Sequence, residues 1–134
     1  MKAPFLFSLA FLFSVLYCDA QSSIDISDPT DVSLINLIAT PEKYQGKIVR
    51  VVGYLNLEFE GNAIYIHKED YEHALLKNAI WIDLSREEEG KNTKTFNKKY
   101  VILVGVFDMN DNGHMSLFSG TIGKISRLDI WKQN

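Results

Sequence analysis

Apolar and polar positions along this chain follow two different periods, and their order outlines a fold. The segment Asp31–Tyr44, DVSLINLIATPEKY, spaces Val32, Ile35, Leu37 and Ile38 as on one side of a helix, with Asp31 placed to cap its start and Pro41 to stop it. The period then changes to two. In GKIVRVVGYLNLEF, Val49, Val51, Leu55, Leu57 and Phe59 share one face, while Arg50, Tyr54, Asn56 and Glu58 share the other. Gly53 falls in the middle of this strand on its apolar face, where a glycine marks a bend, a bulge or a close backbone approach.

A turn at Glu60–Asn62 leads to a second strand, AIYIH, with Ile64 and Ile66 inward and Tyr65 and His67 outward. KEDYEHALLKN spaces Tyr71, Leu75 and Leu76 as in a short helix. AIWIDLS is a third strand, with Ile80, Ile82 and Leu84 inward and Trp81 and Asp83 outward. REEEGKNTKTFNKK is a charged, solvated loop. YVILVGVFDM is apolar on both alternate faces and predicts a buried fourth strand, in which Gly105 repeats the context of Gly53. HMSLFSGTIGKISRLDIW closes the chain as a strand, a Gly-interrupted bend and a last strand ending at Trp131.

The expected fold is therefore mainly β: a five- to six-stranded small closed barrel with a short N-terminal helix and a helical insertion between barrel strands 2 and 3. Internal glycines let a long strand bend and pair on both sides of such a barrel. PEKYQGKIVRVVGYL and KKYVILVGVF resemble the first and fourth strands of OB-fold domains, in which a Y-x-G-K or K-Y entry leads into a V-x-V-x-G run. EFEGNAIYIHKEDYEHALLKNAIWIDLS is similar to small exported OB-like proteins of unknown function. The resemblance spans residues 32–131. It implies an OB-like barrel and names no ligand, because such barrels serve many.

The first twenty residues change the picture. Lys2 precedes an apolar run from Ala3 to Tyr17, and small residues follow, which is the layout of a secretory signal with cleavage after Ala20. The run is shorter than the roughly 20 residues a membrane helix needs. The expected organisation is a signal peptide over 1–20, a flexible leader over 21–31 and the barrel domain over 32–134, exported to the periplasm or secreted, with no transmembrane segment after cleavage. Lipidation at Cys18 is the other reading of the same residues, and bulky Tyr17 fits it poorly. Cleavage after Ala20 removes the one cysteine, so disulfide and thiol chemistry leave with the signal. The net charge of −3 argues against nucleic acid as partner, since that affinity rests on cations facing phosphates; Lys91, Lys94, Lys98 and Lys99 are the basic cluster that reading would need.

Candidate chemistry is sparse. In DMNDNGHMS, Asp108, Asn110, Asn112 and Gly113 match the first half of a calcium loop. The twelfth position is Ser119, which lacks the required carboxylate, and the flanks are strands rather than helices. Asn112-Gly113 between strands is a hairpin signal, so a tight turn explains the same letters, with Asp108, Asn110 and Asn112 as weak metal candidates. His67, Asp70 and His73 match no standard zinc spacing, although they are the residues a metal-dependent hydrolase would have to use. Ser119-Gly120 lacks the G-x-S-x-G elbow, SGTIGK lacks the spacing of a phosphate loop, and Glu87–Glu89 reads as solvated charge.

The expected function is a non-catalytic binding or interaction module that uses no cofactor and meets a ligand or protein partner in the cell envelope, as a monomer. Its ligand face is the outer side of barrel strands 2 and 3, with Tyr65, His67, Trp81 and Asp83, and with His114 at the rim. An exposed Tyr65/Trp81 pair is a stacking platform, which leaves oligonucleotide or oligosaccharide binding as the alternative. The competing reading is that residues 68–77 fold over the pair and make it a second small core.

Overall fold

The computed structural model describes Met1, residues 28–84 and residues 93–132. The expected signal sequence, its cleavage site, Cys18, Lys91 and Glu87–Glu89 lie outside the described residues. The described residues form six strands and two short α-helices: β1 (Thr30–Asp31), α1 (Leu34–Ala39), β2 (Ile48–Asn56), β3 (Ala63–Tyr65), α2 (Lys68–Glu72), β4 (Ala79–Ile82), β5 (Lys99–Asp108) and β6 (Thr121–Ile130).

Strand order is β1-β2-β3-β4-β6-β5, and β2 also pairs with β5, so strands β2 to β6 close into a barrel with β1 as an extra strand. The β4–β6 and β1–β2 pairings are parallel and the rest antiparallel. This is the OB-like barrel expected from the sequence, with α2 inserted between its second and third strands.

Closure depends on β2 serving two neighbours. Ile48–Leu55 pairs with β5, and Tyr54–Asn56 pairs with β3. Gly53 sits where the second neighbour begins. A Cβ there would lie 2.5 Å from Leu34 Cδ1 and 2.7 Å from the Tyr65 carbonyl oxygen, so the bend is close-packed and a side chain is excluded. Gly105 lies where the β5–β6 register shifts, between Val104 and Val106.

The inward residues follow the alternation. Val49, Val51 and Leu55 from β2, Ile64 from β3, Ile80 and Ile82 from β4, Val101, Leu103 and Phe107 from β5 and Ile122 from β6 form one buried core. Each contributes roughly 1.5–3 kcal/mol by leaving water. Leu34 and Leu37 of α1 complete this core.

Several local expectations are corrected. The cap of α1 is Ser33, not Asp31: its Oγ accepts the Asn36 N–H at 3.1 Å. Asp31 instead belongs to β1, where it reaches Arg50. The buried helix face is Leu34 and Leu37, and Ile35 stands 57% exposed. Phe59 is not inward; β2 ends at Asn56 and Phe59 lies in the turn, 92% exposed. The strand expected over HMSLFSG is absent. His114–Ser116 form a 3-10 turn, and a single strand, β6, follows. Residues 109–120 are thus a long connection rather than a two-residue hairpin. Its course is set by two turns in which a side chain holds the backbone: Asp108 Oδ1 accepts the Asn110 N–H at 2.9 Å, and Asp111 Oδ1 accepts the Gly113 N–H at 2.9 Å.

Candidate binding site

The outer faces of β2, β3 and β4 bring Tyr54, Ala63, Tyr65, Ala79 and Trp81 side by side, because Tyr54 pairs with Tyr65, Tyr65 with Ala79, and Ala63 with Trp81. The strand alternation places Tyr65 and Trp81 on this face as expected, but the face is not open. Tyr65 is only 3% exposed and belongs, with Tyr54, Ala63, Ala79 and Phe118, to a second core, against which Tyr71, Leu76 and Trp81 pack. The helical insertion lies across it: the Tyr71 ring is 5.6 Å from Tyr65 and 5.9 Å from Tyr54, centroid to centroid. Burial, followed by the charge of Glu58, pushes the Tyr65 hydroxyl up to about 12.

The insertion is fastened from within. Asp70 is buried; its Oδ2 accepts the His67 N–H at 2.9 Å and its Oδ1 accepts from Asn78 Nδ2 at 2.8 Å. Lys98 holds the far side, its ammonium 3.5 Å from the centre of the Tyr71 ring and bonded to Asn56 Oδ1. Asp70 is therefore the anchor of the insertion, while His67 and His73 are exposed beside it.

Trp81 is half-buried under residues 109–120. Phe118 lies 5.3 Å away, His114 lies 6.4 Å away, and Gly113 rests on the indole. His114 Nε2 meets Glu60 Oε2 at 3.6 Å, so the β2–β3 turn and the β5–β6 connection touch above this face. Asp83 is exposed. Of the expected ligand residues, Trp81 and His114 are thus brought together, Tyr65 is closed over, and His67 and Asp83 stand apart as exposed polar side chains.

Of the calcium-like residues, Asp108 is held by hydrogen bonds within the chain. Asp108 Oδ1 accepts both the Asn110 N–H and the Gln45 side-chain amide, at 2.9 and 3.0 Å, and these bonds hold its carboxyl below the usual range. An oxygen that faces two donors is arranged for hydrogen bonding rather than for a cation. Among the described residues, no three His, Cys, Asp or Glu side chains gather as a metal site.

An open surface lies elsewhere, on the outer face of β2, β5 and β6. A groove of about 640 Å³ runs between the β1–α1 segment and the end of β6. Its floor includes Val52 and Ile102, which are partners in the β2–β5 ladder. Ile35 and Trp131, 57% and 44% exposed, stand along its sides. Arg50 and Arg127 supply its cations. Arg50 Nη1 bonds both oxygens of Asp31, at 3.1 and 3.2 Å, and Arg127 Nε bonds Asp129.

Sequence reading missed this groove, although one signal was present. The fourth strand is apolar on both faces, and apolar residues on the outer face of a barrel strand need a cover or a ligand. No family model matches the chain, and no curated protein is significantly similar to it.

Proposed function

We propose that this chain is an exported, non-catalytic binding module whose ligand seat is the groove between the β1–α1 segment and β6. The observation that carries this reading is the contrast between two outer faces of one barrel. The β3–β4 face is filled by the chain's own Tyr71, Leu76 and Phe118. The β2–β5–β6 face leaves Val52, Ile102 and Trp131 along an open groove with two arginines. A concave, largely apolar lining with a few polar groups, at this volume, is the form of a ligand site.

The polar lining favours binding over catalysis. The hydroxyl in the groove, Ser33, accepts a hydrogen bond at the start of α1 and has no histidine in the lining; the carboxylate there, Asp31, is engaged by Arg50. Export rests on the Lys2-led apolar run and the small residues Cys18 and Ala20. Oligonucleotide or oligosaccharide binding loses the stacking platform on which it depended, because Tyr65 is closed over.

The test is fluorescence of a neutral apolar dye, N-phenyl-1-naphthylamine, added to the purified protein. Dye emission should rise on binding, and Val52→Glu should abolish the rise, while Glu69→Lys on exposed α2 leaves it intact. A rise that Val52→Glu does not change would overturn the groove as the seat.

A further inference from the structure

We propose that the groove takes a single-chain aliphatic carboxylate, with its head between Arg50 and Arg127 and its tail along Val52 and Ile102 toward Trp131. This rests on the groove being the ligand seat.

The register makes the head site. Arg50 pairs with Val104 across β2–β5, and Val104 pairs with Arg127 across β5–β6. The two arginines therefore share one face with a single strand between them, so their Cα atoms are about 10 Å apart at the usual strand spacing. Val104 faces outward yet is only 5% exposed. The two guanidiniums flank one buried valine, so an anion seated over Val104 lies between them.

Their present partners do not use up their donors. Asp31 takes Nη1 of Arg50, and Asp129 takes Nε of Arg127. Among the described residues, Arg50 Nη2 and both Nη atoms of Arg127 have no acceptor, and Arg50 Nε is buried without one. Both Asp31 and Asp129 are largely exposed, so these pairs are weakly held. A guanidinium presents its N–H groups as a planar fork that fits a carboxylate.

Charge favours a monoanion. Among the described residues the head site is locally balanced, Arg50 and Arg127 facing the exposed carboxylates of Asp31 and Asp129. A single carboxylate entering between the guanidiniums takes the N–H groups those aspartates leave unused, whereas a dianionic phosphate would bring a second charge against the two aspartates.

The floor selects an aliphatic tail over a peptide. At the groove, β2 and β5 are paired with each other, and β5 pairs with β6 on its far side. The floor offers apolar side chains instead of a free strand edge, so a peptide's main-chain groups would lose water without gaining partners.

The experiment is displacement of N-phenyl-1-naphthylamine by decanoate and by decanol, which share a tail and differ in charge. Decanoate should bind about tenfold tighter or more, the scale of one charge-assisted hydrogen bond. Arg127→Gln should erase the difference, and Arg127→Lys should restore only part of it. Near-ultraviolet circular dichroism confirms that each variant is folded, and Arg50→Gln supplies a second route should one fail. Equal binding of decanol and decanoate overturns the carboxylate and leaves the groove as an apolar seat. Bound dye that neither compound displaces overturns the carboxylate as well. Absence of dye binding overturns both readings together. Tighter binding of an apolar tripeptide through its free carboxylate would replace the aliphatic occupant.

Discussion

Gly113 lies against the face of Trp81 so closely that a Cβ on it would fall 2.4 Å from Trp81 Cγ. Its backbone, at φ 64° and ψ −157°, is in a region open almost only to glycine. Two independent penalties thus meet at one residue. Gly113→Ala should lower stability by roughly 2–4 kcal/mol, from backbone strain and steric displacement of the indole together. Thermal unfolding followed by Trp fluorescence checks this; an unchanged Tm would mean that residues 109–120 do not press on Trp81 in solution.

Tyr65 gives the fold a pH limit on the alkaline side. Its hydroxyl is pushed up to about 12, first by burial, then by Glu58 and Tyr71, whereas in the unfolded chain it ionises near 10. The folded state holds the proton more tightly. Its contribution is therefore fully present below pH 10 and is lost as pH rises through about 12, a change of roughly 2–3 kcal/mol. Urea unfolding at pH 9, 10 and 11 should show falling stability. Tyr65→Phe should flatten that fall. A tyrosinate absorbance titration in which every tyrosine ionises near pH 10 would contradict the burial of this side chain.

The barrel was legible where side-chain alternation alone decides orientation. Val49, Val51 and Leu55 point inward because a strand alternates, and Gly53 stands out as the interruption. That residues 68–77 cover Tyr65 was legible as one of two readings, because Tyr71 follows the strand closely at helical spacing; the structure bears it out with Tyr71 and Leu76, while Leu75 stays exposed. Phe118, which joins them from far along the chain, was not legible, because alternation assigns a face and does not say which distant residue lies above it. Phe59 was misplaced because the alternation continued past the end of the ladder. The groove was hidden for a related reason: Arg50 and Arg127 come together only through the registers of β2 and β6 on β5, and no local motif encodes a register.

Asp70 should matter far more than its position in a charged stretch suggests. Its carboxylate is the shared acceptor for the His67 N–H and the Asn78 side-chain amide, so it ties both ends of the insertion together. Asp70→Ala leaves two donors without their partner and should cost about 2–3 kcal/mol. Amide hydrogen exchange should quicken over residues 67–78 before it quickens in β2 or β5, since the barrel core does not depend on this carboxylate. Uniform quickening would show that the insertion and barrel open as one unit. Glu72→Ala, which removes a solvent-exposed pair with Lys68, is the control and should change stability by less than about 0.5 kcal/mol.

The bend at Gly53 allows a test of what fixes the barrel's closure. A methyl group at this position meets a flexible side chain, Leu34 Cδ1 at 2.5 Å, and a rigid backbone atom, the Tyr65 carbonyl oxygen at 2.7 Å. Gly53→Ala should destabilise by roughly 1–3 kcal/mol, the range for overpacking. Leu34→Ala alone should cost about 2–5 kcal/mol by leaving a cavity where α1 meets the core. If Leu34 were the whole obstacle, the double variant would be close to Leu34→Ala in stability, because the new methyl would occupy space the leucine had left. The carbonyl of Tyr65 does not retreat when Leu34 is shortened, since it belongs to the strand paired with β2. The double variant should therefore stay below Leu34→Ala, with a coupling smaller than the full cost of Gly53→Ala. Chemical unfolding of the four proteins in this cycle measures that coupling. Complete rescue would move the origin of the bend from the β2–β3 backbone contact to the α1 side chain.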